Sequence, residues 1–507
     1  MSDTKGASTV GRGLYPCLER TVKGLKQIFG DSADLNIAGL KVSGVSCAVA
    51  SLEGMTSSKD LAVMLFSPLM EYSRALADSN DVYRFIAGEG IFSAEKKSVS
   101  SLLEAARLLC SGYAVIFVDG VQGAVAISAQ GFDKRAVSEP DSEANIKGSH
   151  EALSDSLRTS LALIRRRART PSLRFLMTKA GKVSGTDVCI AYISERVPMG
   201  VVKRVKESIE KIRLPFILTS GSVIPFILDK NGPAPFFSGA STTQRPDVLL
   251  AKLNEGRVAV LVDGTPYAVI APTLFVENFQ TVDDYEDKPY FAFYKRWLRY
   301  IAFFIASFLP GIYVATAGFH PEVLSRSLLL SLIASEEITP YPLAAELAII
   351  IVMFELLKEA GLRLPRAIGG AVSVVGGLII GDAAVSSGLI SAPILIIIGI
   401  TATSSFVVPS LDPQTTVLRL LGVIAGGTLG FFGMAVLMTV ILVNAGALSG
   451  RIGGLSVPYL SPISPLTVRG LRDVVTRIGF RRMEKSTVRV EDMNGSTDES
   501  KDDGKGS

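Results

Sequence analysis

The sequence predicts a chain with two related α/β units followed by a helical membrane domain. Residues 1–290 carry charge and alternate amphipathic helices with short apolar strands. Within them, Gly112–Gly120 and Gly256–Gly264 align without a gap, and both end in Val-Asp-Gly. Residues 365–447 hold only three charged side chains after Arg366. Because a bilayer core accepts about 20 apolar residues per helix, this run is long enough for two or three spans.

The composition of the 507-residue chain excludes several classes of function. A net charge of +4 is too small to indicate a nucleic-acid partner, and two histidines cannot build a histidine-rich metal site. Walker, GxSxG and HExxH motifs are absent, so we expect no enzyme, no cofactor and no bound metal. The four cysteines lack CxxC spacing and are predicted to be reduced core thiols facing a cytoplasm.

The first unit begins with an amphipathic helix, YPCLERTVKGLKQIFG. Apolar runs predict strands at Leu35–Val42 and Ser46–Leu52, and a serine cap opens the helix SSKDLAVMLFSPLMEYSRAL. Another helix fits SVSSLLEAARLLCSG. The segment YAVIFVDG–VQGAVAIS is typical of a hairpin that turns at Asp119-Gly120.

The second unit repeats this order after a predicted helix from His150 to Arg169. A strand at Cys189–Ser194, helices in PMGVVKRVKESIEKI and RPDVLLAKLNEG, and a second Val-Asp-Gly hairpin follow. Arginines crowd the end of the 150–169 helix, where they either contact a neighbouring subunit or membrane phosphates, or simply complement the helix dipole in solvent. The subunit-contact candidates are Arg158, Arg165, Arg166, Arg167, Arg245 and Asp247.

The membrane half is predicted to start with a span at Trp297–Gly318, preceded by aromatic and basic residues typical of an interface. Leu324–Ala334 is too short to span and is expected to lie in the far interface. Basic flanks place both ends of this half in the cytoplasm, which requires an even number of crossings. Five or six segments are visible, so one is re-entrant or the last run is broken at GGTLGFFG. The later segments are Pro342–Leu357, 367–380, Pro393–Val408 and Leu420–Ala447.

Polar groups within this half indicate a pore, because such groups are rare at membrane depth unless they pair or line water. The alternative is that the hydroxyls bond their own helix carbonyls, and that Asp412 caps a helix beginning near Thr415. The pore or gating candidates are Asp382, Glu355, Ser373, Gly377, Thr401, Ser404, Pro409, Asp412 and Gln414.

These patterns divide the chain into seven segments. We expect cytoplasmic α/β subdomains at 15–147 and 171–290, with a connecting helix at 148–170 between them. The helical transmembrane domain is expected at 291–450, followed by a basic segment at 451–485. Residues 1–14 and the tail at 486–507 are expected to be disordered.

Several long segments resemble a known family, among them QRPDVLLAKLNEGRVAVLVDGTPYAVIAPTLF, RLPRAIGGAVSVVGGLIIGDAAV and SSFVVPSLDPQTTVLRLL. They are similar to the A subunit of the GerA-type spore germination receptors of endospore-forming bacteria. The stage V sporulation F protein is a sister family of the same architecture. The resemblance extends over about residues 15–480 and includes the polar half.

The resemblance implies a non-enzymatic receptor subunit in the spore inner membrane. It would act with a B-type, transporter-like membrane subunit that binds the germinant and with a C-type lipoprotein, and it would form homo-oligomers around a gated cation pore. Two alternatives stay open: a stage V sporulation F-like channel subunit, and a secondary transporter, for which broken Gly-rich helices are typical.

Overall fold

The fold comes from a computed structural model that describes residues 13–30, 32–71, 78–88, 95–131, 140, 143, 148–228, 235–365, 381–452, 455–461 and 463. Ser373 and Gly377, the Gly-rich run at 367–380, the tail at 486–507 and most of the basic segment lie outside these residues. Within the stretch predicted to be disordered, Leu14 is described and buried, and its N–H donates to the Ser100 carbonyl at 3.1 Å.

The first α/β unit is an antiparallel five-stranded sheet in the order β1-β2-β4-β5-β3. Its strands are β1 Leu35–Val42, β2 Val45–Leu52, β3 Lys96–Val99, β4 Tyr113–Val118 and β5 Ala124–Ser128. Its helices are α1 Leu18–Phe29, α2 Ser58–Leu61, α3 Ser67–Glu71, α4 Ser79–Ala87 and α5 Leu102–Cys110, with a π-helical turn at Ala62–Phe66 between α2 and α3.

The second unit has the same topology, β6-β7-β9-β10-β8. The prediction of two α/β units is thus confirmed, and the shared strand order supports their relationship. Its strands are β6 Leu173–Ala180, β7 Thr186–Ile193, β8 Ser241–Thr243, β9 Val258–Val262 and β10 Ala268–Ala271. Its helices are α6 Leu157–Arg167, α7 Met199–Glu210, α8 Ile224–Ile227 and α9 Pro246–Asn254.

Helices cover both faces of each sheet, which explains why the central strands are apolar throughout. In β4, Val115 and Phe117 pack against α1 and α5, whereas Ile116 and Val118 pack on the other face. Alternate residues of a strand point to opposite faces, so two covered faces require an unbroken apolar run. Three of the cysteines are buried in these cores, and burial raises the pKa of the Cys47 thiol to about 11.

The aspartates of the two Val-Asp-Gly turns cap the first helix of each unit from a distance. Asp119 Oδ1 accepts the N–H of Leu18 at 2.9 Å, and Asp263 Oδ1 accepts that of Leu157 at 2.9 Å. Neither helix has a side-chain bond from its own N-cap residue. Each aspartate satisfies an orphan N–H and places negative charge at the positive end of a helix. The repeated motif therefore ties the hairpin of each unit to its first helix.

A buried ion pair joins the two units. Arg165 on α6 donates to both carboxylate oxygens of Asp34, with Nε–Oδ2 at 2.7 Å and Nη2–Oδ1 at 3.1 Å. The Ser32 hydroxyl donates to the same carboxylate and accepts the N–H of Phe175 in β6. Because both charged groups are almost fully enclosed and fully hydrogen-bonded, the pair fixes the position of one unit on the other.

The helical half begins with α10 Asp283–Glu286 and the 31-residue helix α11 Pro289–Phe319. Among the described residues, two helices are long and apolar enough to cross a membrane: α11 and the helix that ends at Ala447. The helix Ala392–Ser405 is apolar but shorter. The predicted first span lies within α11. The remaining elements are α12 Arg326–Glu336, α13 Leu343–Arg363, α14 Ala392–Ser405, α15 Asp412–Ala447, and the strands β11 Ser449–Ile452 and β12 Leu455–Pro458.

Helix α15 is a hairpin of two arms, because Gly430 adopts φ 58° and ψ −142°. This conformation is open mainly to glycine. At the far tip, Phe431 stacks on His320 with ring centroids 4.9 Å apart. At the other end, Ala445 returns to the cluster that contains Leu411. The last apolar run is therefore split within GGTLGFFG, which was one of the two alternatives for this half, the other being a re-entrant segment.

Three expectations for local structure are wrong. The helix predicted from His150 starts at Leu157, since Asp263 caps it there while Leu153 stays in extended chain and fills the core. Helix α15 starts at Asp412, not near Thr415. The strands β3, β6 and β8 were missed: β3 and β8 have only four and three residues, and β6 alternates between more and less buried positions over eight residues.

We predict that Asp119→Ala and Asp263→Ala each lower the free energy of unfolding by about 0.5–2 kcal/mol, the usual cost of losing an N-cap. Thermal unfolding of the full chain in detergent measures this. Asp187→Ala is the control, because Asp187 is exposed on β7 and its side chain bonds nothing in the described part of the chain. Equal Tm values for all three variants would contradict the capping role.

Candidate functional site in the helical half

A cluster of four charges lies where α13, α15 and α11 meet. Glu355 and Lys358 are one turn apart near the end of α13, and Asp412 and Arg419 are two turns apart at the start of α15. Lys358 Nζ lies 2.6 Å from Glu355 Oε2 and 3.1 Å from Asp412 Oδ2. Arg419 Nη1 lies 3.2 Å from Glu355 Oε1. The helix period places each pair on one face, so the two faces meet as a charged contact.

Arg419 is the most enclosed member of this charge cluster, with a side chain only 1% exposed. Its Nε donates to the Ala306 carbonyl of α11 at 3.2 Å, so this side chain links α15 to both α11 and α13. Among the described residues its Nη2 has no hydrogen-bond partner. A buried guanidinium with an open donor is costly, which makes the contact sensitive to any shift of α13.

The helical half joins the second α/β unit through aromatic rings at what we call the junction end. Phe279 packs against Tyr300 in a tilted arrangement with ring centroids 4.3 Å apart, and Phe275 meets Phe303 edge to face at 5.9 Å. The side chain of Asn444, near the end of α15, accepts the N–H of Phe236. These contacts tie α11 and α15 to the second unit.

Charges reinforce the junction end. Asp284 is fully buried and binds Arg296 at 3.2 Å and Arg299 at 2.7 Å, both on the first turns of α11. These arginines belong to the aromatic and basic cluster that the sequence predicts at an interface. Helix α10 folds back and brings Asp284 against them, while Trp297 stays exposed.

A second buried group lies just before α10. Glu277 binds Arg257 and Lys252, the latter at 3.0 Å. Burial alone would raise the pKa of Glu277, but the charges of Arg257 and Lys252 lower it to about 2. The pair links the start of β9 to the segment that leads into the membrane helices.

Comparison with known proteins identifies the family. The sequence model described as "Bacillus/Clostridium GerA spore germination protein" matches residues 23–488. The chain belongs to the GerA family. It is 34% identical to spore germination protein KA of Bacillus subtilis (strain 168), over 93% of this chain and 86% of that protein. It is 30% identical to spore germination protein GerLA of Bacillus cereus, over 93% and 94%.

Other GerA relatives are more distant or partial. Stage V sporulation protein AF of Bacillus subtilis (strain 168) is 25% identical over 88% of this chain and 89% of that protein. The crystal structure of the N-terminal domain of the Bacillus megaterium germinant receptor GerK3 A subunit superposes with a TM-score of 0.40. It is 27% identical and covers 52% of this chain and 98% of that one.

The pore candidates of this GerA chain fall into two groups. Glu355 and Asp412 meet through Lys358, and Gln414 lies in the first turn of α15 with a buried Oε1 that has no partner in the described part. Asp382 and Pro409 are exposed and lie outside the charge cluster. The Asp412 carboxylate binds Lys358 instead of capping a helix near Thr415, which corrects that expectation.

The described hydroxyls of the helical half mostly bond their own helices. Thr401 donates to the Ile397 carbonyl at 2.6 Å, and Thr428 donates to that of Ile424 at 2.8 Å. Ser404, by contrast, is half-buried on α14. Back-bonding of this kind satisfies a hydroxyl without a pore, so Thr401 gives no support to a polar belt.

The subunit-contact candidates are largely used inside the chain. Arg165 is enclosed between the two units and Arg245 binds Asp247 at 2.6 Å, so neither guanidinium faces a neighbouring subunit. Arg166 and Arg167 bind Glu151. The chain itself supplies acidic partners for all four arginines, and the partly exposed Arg166 and Arg167 stay subunit-contact predictions. Arg158 remains mostly exposed beside Glu53 and stays a subunit-contact prediction.

Sequence reasoning missed the central roles of Arg419 and Lys358. Neither residue is among the pore or gating candidates that the sequence predicts. A signal was present: Asp412 and Arg419 are seven residues apart, and Glu355 and Lys358 are three apart, so each pair shares a helix face.

We predict that Arg419→Met destabilises the full chain by about 1–3 kcal/mol, because Glu355 Oε1 and the Ala306 carbonyl lose a charged donor while Lys358 still pairs with Glu355. Thermal unfolding in lipid nanodiscs measures the effect. Arg363→Met is the matched control: its pair with Glu359 is exposed and contributes less than about 1 kcal/mol. Similar losses in both variants would show that the charge cluster has no special role in stability.

We predict that Glu277 contributes stability that is present above pH 4.5 and is lost as the pH falls towards 2, since its folded pKa lies below its ordinary value of 4.5. Glu277→Gln should lower Tm at pH 7 and flatten the acid branch of a Tm–pH curve. Glu53→Gln, which alters an exposed pair, should keep the parent's curve. An unchanged acid branch in Glu277→Gln would contradict the assignment.

Proposed function

We propose that this chain is the A-type membrane subunit of a nutrient germinant receptor, and that copies of it assemble into a gated cation channel that triggers spore germination. Its membership of the GerA family supports the receptor role, as do the names of its relatives. The observation that carries the channel mechanism is the charge cluster of Glu355, Lys358, Asp412 and Arg419. It places four ionisable groups between apolar helices.

Charges at such a position must pair or be hydrated. In the described arrangement they pair, so the cluster holds α13 against α15. Sliding α13 by one turn would separate Lys358 from Asp412, and water would then hydrate both side chains. A hydrated path would form at the junction end. Paired and hydrated arrangements are the two discrete states that a gate needs.

Asp382 supports assembly of several copies. It is exposed in the single chain, and no described residue binds it. A carboxylate on a helical segment of a membrane domain needs water or a partner, and a ring of subunits would supply a hydrated belt of such groups. The neighbouring positions 367–380, with Ser373 and Gly377, belong to the same proposed pore.

The partners follow from the family resemblance. A B-type, transporter-like membrane subunit would bind the germinant, and a C-type lipoprotein would complete the receptor. The α/β units would lie on the cytoplasmic side of the spore inner membrane, and the junction end would transmit their movement to α11 and α15.

A stage V sporulation F-like subunit is the second candidate, but identity to that relative is lower than to protein KA. A secondary transporter is a third candidate, since the break at Gly430 fits a discontinuous helix.

The test is ion flux through the purified chain in liposomes, with and without its B-type partner. We expect conduction of cations without saturable solute uptake, and we expect Asp382→Asn to reduce the cation flux by about tenfold, equivalent to 1.4 kcal/mol. Ser386→Ala is the control, because this exposed hydroxyl bonds the Ala383 carbonyl of its own segment. Absence of flux in every preparation would refute the channel, and saturable solute uptake would favour the transporter.

A further inference from the structure

Glu346 is a buried carboxylate that the charge cluster does not use. It lies in the first turn of α13, towards the end of the helices remote from the junction, and has no exposed surface. Its neighbours Leu347, Ile350, Ile390 and Ile394 form an apolar cluster. Within the described part of the chain, no lysine or arginine pairs with it. Isolated negative charge in apolar surroundings is costly, so the group needs a counter-charge.

One oxygen of Glu346 is satisfied and the other is open. Oε1 accepts the backbone N–H of Ser391, the N-cap residue of α14. A carboxylate is well placed at a helix N-terminus, because the helix dipole is positive there. Oε2 is also buried, yet no described group donates to it.

Two further oxygens in the same region also lack partners. The Ser391 hydroxyl is buried and has no hydrogen-bond partner among the described residues. Ser391 is the N-cap residue of α14, but its side chain makes no capping hydrogen bond. This hydroxyl belongs to the residue whose backbone N–H already donates to Glu346. The Tyr313 hydroxyl of α11 is likewise buried and unbonded, packs against the same apolar cluster and lies in electrostatic range of Glu346.

We infer that Glu346, Ser391 and Tyr313 form a binding site for a monovalent metal cation such as Na⁺ or K⁺. All three offer oxygen, the ligand that hard cations prefer. Their combined charge is a single negative one, which a monovalent ion neutralises and a divalent ion would exceed. Another acidic group, Glu336 on α12, is partly buried within electrostatic range of Glu346 and adds to the negative potential.

This site is separate from the charge cluster. That cluster holds its own cations, Lys358 and Arg419, and lies at the junction end, whereas Glu346 packs near Val314 and the far end of α11. A bound ion would join α11, α13 and α14, which contribute one oxygen-bearing residue each. The inference concerns equilibrium binding and does not require that the chain conduct ions.

The test measures the Tm of the full chain in lipid nanodiscs while NaCl or KCl replaces N-methyl-D-glucamine chloride at constant ionic strength. We expect a saturable rise of about 5 °C once the cation exceeds its dissociation constant about 100-fold. Glu346→Gln should abolish the rise. Ser391→Ala and Tyr313→Phe, which each remove one neutral oxygen, should weaken the apparent affinity about fivefold to tenfold.

Glu359→Gln is the matched control, because it makes the same change at an exposed position of α13 and should keep the full response. If Glu346→Gln does not insert, the parent titration and the two hydroxyl variants still decide the question. Equal Tm values for the parent in all three salts would overturn the inference, and would show that a proton rather than a metal ion neutralises Glu346. A cation response that survives in Glu346→Gln would also overturn it.

Discussion

Buried arginines that must find acidic partners are the constraint on which this structure depends. Among the described residues, the largest side chains with almost no exposure are Arg165, Arg245, Arg257, Arg296 and Arg419. A guanidinium cannot lose its proton in a protein, so burial obliges the fold to place a carboxylate or carbonyls around it. Removing either partner leaves a buried charge without a counter-charge, which is costly. The contact therefore specifies which groups must meet, even where its net contribution to stability is small.

Most of these arginines lie where two parts of the chain meet. Arg165 binds Asp34 between the α/β units, Arg296 binds Asp284 where α10 meets α11, and Arg419 binds Glu355 between α15 and α13. Apolar packing would allow neighbouring parts to slide with little penalty. Ion pairs with fixed geometry allow only a few relative positions.

The two α/β units repeat one contact between their hairpin turn and their first helix. Asp119 and Asp263 perform the same capping bond, and the glycines that follow them donate to Pro16 and Asp155 at equal distances of 2.9 Å. The turn was visible in the sequence as a hairpin signal. Its second role was not, because the capped residue lies more than a hundred positions away and only the folded sheet brings it near.

The sequence by itself determined the two α/β units and the strands β1, β2, β4 and β5, and it offered a break in the last apolar run as one of two alternatives. These features depend on local periodicity, on turn residues and on glycine, all of which act over a few neighbouring positions. Only the tertiary structure decided which charges meet. Arg419 and Glu355 are 64 residues apart, Arg165 and Asp34 are 131 apart, and Glu346 meets Ser391 from another helix. Pairing over such distances depends on how helices and sheets pack, which no local pattern records.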